Sequence, residues 1–230
     1  MPIFVYILGF GAKEAIASSL AVVGVTSLFG AASHWREGRV KLRIALMFGV
    51  FAMAGAYLGA QLATFFSEAA QLSLFAAVML VSAFFMFRAN QADEDEEETE
   101  PEEGFTGRIP LVLVLVGVAV GTLTGLVGVG GGFLIVPALT LIGKVPVKEA
   151  VGTSLLVIAM NSTAGFVGYL GKVEIQWGLL ALFNVLAIVG SFTGTYLVRF
   201  VPSGALQKAF TLFLVAMAIF IFYQNRGVFF

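Results

Sequence analysis

The stretch Gly121-Thr-Leu-Thr-Gly-Leu-Val-Gly-Val-Gly-Gly-Gly-Phe-Leu-Ile-Val-Pro137 constrains the fold more than any other part of the chain. It follows an apolar run, Ile109 to Val120, that is suited to a bilayer. Glycines then stand at 125, 128, 130, 131 and 132. In water each interior glycine weakens a helix by roughly 1 kcal/mol relative to alanine. In lipid an unmade backbone hydrogen bond costs several kcal/mol. A break at membrane depth is therefore expected only where it is covered by protein or lines a wet cavity, as in the discontinuous helices of transporters. The competing reading is that these glycines only let helices approach closely. Three glycines in a row exceed what such a contact needs, which favours the break.

The composition sets this stretch in a membrane. Of 230 residues, 59% are hydrophobic and 12% charged, and mean hydropathy is +0.98. Soluble domains carry roughly 45–50% apolar and 25% charged residues. There is no cysteine, which excludes disulfides and thiol redox chemistry, and the single His34 leaves no histidine cluster for a metal. Nothing resembles a cleavable signal peptide.

Full-length spans are expected over Ala15–Ser33, Leu42–Phe66, Ala69–Phe87, Ala150–Tyr169, Ile175–Val198 and Ala205–Phe222, besides the one entering the glycine stretch. Pro2–Phe10 and Phe133–Ile142 are too short to cross a membrane as helix. Between them, residues 90–108 carry the acidic run Asp93 to Glu98, then Glu100, Glu102 and Glu103. Charge at that density stays solvated, so this is a linker.

A shift of 135 residues aligns the chain with itself. Lys13-Glu14-Ala15 falls on Lys148-Glu149-Ala150, Ser19-Leu20 on Ser154-Leu155, Ser27 on Ser162 and Gly30 on Gly165. Gly38 meets Gly171 after a two-residue gap, and Gly55 and Gly59 meet Gly190 and Gly194. The expected organisation is all-α and polytopic: a first repeat over residues 1–89, the linker 90–108, and a second repeat over 109–230. Met1 falls on Val136, so the first repeat has no counterpart of Ile109–Ile135. Either it is shortened by a span, or the coding frame begins upstream, which is the favoured expectation.

Orientation follows from the basic residues. Arg36, Arg39, Lys41 and Arg43 mark a cytoplasmic loop. If the glycine stretch and Phe133–Ile142 together add a crossing, Arg108, Lys144, Lys148, Arg199 and Lys208 are also inside, and only Lys172 and Arg226 are outside. That pattern favours inverted repeats.

The glycine motif, followed by Ala150-Val-Gly-Thr-Ser-Leu155, resembles the sulfite exporter TauE/SafE family. The first repeat has Ala17-Ser-Ser-Leu20 in the matching place, and Ser33-His-Trp-Arg-Glu-Gly-Arg-Val40 looks like that family's loop between spans. The missing first glycine motif is the departure. The resemblance implies movement of a small sulfur-containing anion, sulfite or an organosulfonate, across a prokaryotic inner membrane.

Helix physics is compatible with an anion. A helix restarting near Gly132 would offer free amides and a positive dipole end, which hold oxyanions without a cationic side chain. The expected substrate contacts are Gly128, Gly130, Gly131 and Gly132, with Ser19, Thr26 and Ser27 from the first repeat and Thr153, Ser154, Asn161 and Ser162 from the second. The alternative for each hydroxyl is a bond to its own helix or a neighbour. Asn161 is the most telling, because a mid-span amide is costly without partners. Glu14 and Glu149 read as structural ion pairs. No motif supports an enzyme, a nucleotide, another cofactor, a metal or nucleic acid. The partners expected are the lipid bilayer and a small anionic substrate, with a homo-oligomer open. Rival readings are a passive anion channel of the same architecture and a membrane-embedded assembly subunit.

Overall fold

The computed structural model describes residues 3–92, 111–128, 135–136, 139, 145–198 and 203–224. The described residues are helical, with turns and no strand. After a short π-helix, Ile3–Ile7, come α1 (Ala12–Arg36), α2 (Leu42–Leu62), continued by a 3-10 turn Ala63–Phe65, α3 (Glu68–Ala92), α4 (Leu111–Val127), α5 (Val147–Tyr169), α6 (Trp177–Val198) and α7 (Ser203–Gln224). Four stretches are long and apolar enough to cross a membrane: Ala12–Arg36, Leu42–Phe65, Glu149–Tyr169 and Trp177–Gly194. Large apolar side chains such as Leu28, Phe29, Val50, Leu58, Val185 and Phe192 are exposed. In lipid that exposure carries no penalty, whereas a soluble domain would hide them. This is a multi-pass membrane protein.

The observed helices run a few residues beyond the apolar spans, taking in Lys13, Glu14 and His34 at their ends. The acidic linker lies outside the described residues, apart from the end of α3.

Two compact units are present, Met1–Phe66 with Pro101–Ile188, and Ser67–Glu100 with Val189–Phe230. In the second unit α3 and α7 pack together. In the first, α1, α2, α4 and α5 form the body.

The tightest contact there is α2 against α4. Gly117, Gly121 and Gly125 face, in turn, the carbonyl oxygens of Phe48, Ala52 and Ala56. Residue numbers rise together on both helices, so the two run parallel. A methyl group on Gly121 or Gly125 would collide with the Ala52 or Ala56 oxygen, and one on Gly55 or Gly59 with the Val118 or Thr122 oxygen. Lipid tails are as apolar as leucine, so helix association here relies on close van der Waals approach, which small residues at every fourth position allow.

α5 packs antiparallel to α1. Gly24 sits against Ser162, Gly30 against Leu155 and Gly165 against Leu20. The phenol of Tyr169, at the end of α5, donates to Gly125 O at 3.0 Å and satisfies a carbonyl near the end of α4. Tyr169→Phe is expected to lower stability by about 1 kcal/mol, the net value of one such bond. A thermal melt in detergent checks this, and an unchanged midpoint would show the bond to be idle.

Candidate functional site

α4 stops inside the glycine stretch. Its last residue is Val127, and Gly128 takes φ +73°, a left-handed conformation that suits a residue without a Cβ. The Gly128 amide donates to Thr124 O at 2.8 Å, closing the final turn. Gly128 lies against the backbone of Ile16 on α1, and a Cβ there would stand 3.1 Å from Ile16 Cα. Ile135 and Val136 are helical again. Gly130, Gly131 and Gly132 lie outside the described residues. The glycines thus divide between the two readings of the sequence: Gly121 and Gly125 serve packing, and Gly128 ends the helix.

The polar candidates also divide. Thr26 Oγ1 donates to Val22 O at 2.9 Å and Val23 O at 3.1 Å, within its own helix. Ser154 Oγ donates to Val151 O at 2.8 Å. Thr153 Oγ1 accepts the Lys41 amide at 3.0 Å, tying the loop after α1 to the start of α5. The same loop is held by the ion pair of Lys41 with Glu149 at 3.1 Å. Glu149 therefore pairs across the fold. Because α1 ends where α5 begins, the basic loop and Lys148 share one side of the membrane. At the opposite end, Lys172 donates to Gln61 Oε1.

Three candidates are left over. Ser19 Oγ, Ser162 Oγ and both amide atoms of Asn161 are buried with no hydrogen-bond partner in the protein. Ser27 is also buried, on the α1 side. Asn161 is wholly inaccessible. It lies four residues after Val157, which faces α2, and four before Gly165, which faces Leu20 and the Gly125 backbone. It therefore points along the stripe of α5 that meets the other three helices. A buried polar group without a partner costs about 1–3 kcal/mol, so each of these groups suggests a ligand. Ser19 stands one turn beyond Ile16, next to the break at Gly128.

The sequence reading did not single out Ser18 and Thr124, both buried; Thr124 bonds Val120 O at 2.9 Å. Its place in the Gly-x-Leu-Thr-Gly motif was the available signal. No group of three potential metal ligands occurs among the described residues.

A family model described as Sulfite exporter TauE/SafE matches residues 1–221. This chain belongs to the sulfite exporter TauE/SafE family. Within the TauE/SafE family it is similar to probable membrane transporter protein YdhB of Bacillus subtilis, 29% identical over 202 residues, covering 85% of this chain and 78% of the relative. A probable membrane transporter protein of Xylella fastidiosa is 28% identical over 227 residues, 97% of this chain and 85% of its own length. Sulfite exporter TauE/SafE family protein 1 of Arabidopsis thaliana is 32% identical over 113 residues, 49% of this chain and 25% of the relative. No solved structure matches the chain significantly. Membership of TauE/SafE makes the protein a membrane transporter by family.

Proposed function

We propose that this protein moves sulfite or a small organosulfonate across a prokaryotic inner membrane by alternating access, with two inverted repeats rocking about the α1/α5 seam. The observation that carries this is three buried side chains without a partner in the protein, Ser19, Asn161 and Ser162, on the packed helices α1 and α5, with α4 ending against α1 at Ile16. An anion there meets hydroxyl and amide donors, and the free amides expected of a helix restarting after Gly128 would add to them.

Two observations support the inverted repeat. Helices begin at Ala12, Leu42 and Glu68, and again at Val147, Trp177 and Ser203, 135 positions later each time. In that register Leu20 corresponds to Leu155 and Gly30 to Gly165. The contacts are reciprocal: Gly30 meets Leu155, and Gly165 meets Leu20. Self-complementary pairing of this kind is what a two-fold relation produces. Its centre falls at Val25 and Met160, with Asn161 one residue on. Because α1 and α5 are antiparallel, counterparts point opposite ways through the membrane.

Proteoliposomes loaded with sulfite, sulfate, thiosulfate or methanesulfonate test the reading. Sulfite or sulfonate efflux above that of protein-free vesicles is expected, and no flux of any of these anions would sink it. Gly131→Leu should abolish that flux while insertion is retained, since a side chain would keep the anion from the amides. Efflux like that of the unaltered protein would remove the glycine segment from the site.

A further inference from the structure

We infer that Asn161 selects a monoprotonated oxyanion, of the hydrogensulfite kind, over fully ionised sulfite or a sulfonate. This deepens the proposed function and rests on it.

The first ground is the chemistry of the carboxamide. Oδ1 accepts and Nδ2 donates, and both are buried and unpartnered. Exchanging the two atoms by a flip leaves one acceptor and one donor open, so the assignment does not depend on it. A sulfonate or a sulfite dianion presents acceptors alone. It can take the Nδ2 hydrogens, but it sets its own lone pairs against Oδ1. A hydrogensulfite carries an S–O–H and an ionised oxygen, and so matches both atoms.

The second ground is charge. In the described parts of α1, α2, α4 and α5, Lys and Arg occur only at or near helix ends: Lys13, Arg36 and Arg43. Lys148 also stands at the start of α5. Among the described residues, none of these cations stands beside Asn161 to balance a dianion. The cost of desolvating an ion rises as the square of its charge, so a double charge costs about four times a single one. A monoprotonated substrate halves the charge and brings its own proton. Proton movement then needs no intramembrane carboxylate.

The titratable groups on the surrounding helices stand toward the helix ends. On α1 they are Lys13, Glu14, His34 and Arg36; on α2, Arg43 and Tyr57; on α4 there are none; on α5, Lys148, Glu149 and Tyr169. His34 packs against Gly152, nine residues from Asn161 along α5. Tyr57 packs against Gly168, and Tyr169 bonds Gly125 O.

Proteoliposomes holding a pH-sensitive dye decide the matter. Sulfite is supplied at one fixed total concentration, one pH unit below and one above its second ionisation. Protein-free vesicles supply the blank. Flux is expected to fall by about tenfold between the two, following the monoprotonated fraction, and the lumen should acidify with uptake. Methanesulfonate, which has no O–H, should move at least about tenfold more slowly than sulfite at the lower pH. His34→Gln should leave the pH profile unchanged. In Asn161→Ala the residual flux should no longer separate sulfite from methanesulfonate. Flux that holds level or rises with pH, or methanesulfonate moving as fast as sulfite, overturns the selection of a protonated form and leaves the transporter reading standing. No flux of any anion removes both.

Discussion

Replacing Asn161 with leucine is expected to raise thermal stability and to abolish transport. The two side chains have the same number and branching of heavy atoms, leucine being the bulkier. Asn161 is wholly buried and both its amide atoms lack a protein partner, so the substitution removes a desolvation cost of about 1–3 kcal/mol. In a chain of this size each kcal/mol corresponds to roughly 2–4 °C. Transport should fall by about 100-fold or more, because the substrate loses its donor and its acceptor together. Stability and activity trade against one another in this way where a site is held open for a ligand. Thermal unfolding in detergent and sulfite flux, measured on the same preparation, give both quantities. A lower midpoint would mean that the amide holds the fold together, and the assignment of Asn161 to the site would fail.

Enlarging Gly121 or Gly125 should have the opposite outcome, a collapse of the fold. Any Cβ at either place runs into the carbonyl oxygen of Ala52 or Ala56. Backbone atoms cannot move aside as the tip of a side chain can, so α2 and α4 must separate. Gly121→Ala should cost at least about 1–3 kcal/mol, the usual range for overpacking. Gly121→Leu and Gly125→Leu should yield little monodisperse protein. A normal elution profile and an unchanged midpoint for Gly121→Leu would show that α2 and α4 do not meet along this seam.

Part of this was readable in the sequence, for a physical reason. A span is declared by about 20 consecutive apolar residues, and α1, α2, α5 and α6 fell where such runs were found. The end of α4 at Gly128 was announced by glycines closer together than packing requires. The α2/α4 seam was missed, although Ala52, Ala56 and Ala60 stand at the same four-residue interval as Gly117, Gly121 and Gly125. The interval is a known sign of close helix approach, but nothing in one chain says which two stripes will meet. Ser19 and Ser154 show the deeper limit. They hold matching places in the 135-residue register and are the same residue. Ser154 bonds Val151 O, while Ser19 has no partner. That difference lies in side-chain rotation and neighbours, which hydrophobic periodicity does not record. Thr153 is similar, since its partner, the Lys41 amide, is 112 residues away.

The reciprocal meeting of Gly30 with Leu155 and Gly165 with Leu20 bears on rectification. In the proposed inverted-repeat arrangement, a solute at the centre of the seam encounters the same steric path from either face of the bilayer, so the seam itself cannot act as a valve. Any preference for one direction has to come from concentration differences or from places where the halves are unlike. One of these is the pair of matching positions Thr26 and Asn161: the Thr26 hydroxyl is occupied by its own helix, while the Asn161 amide has no partner in the protein.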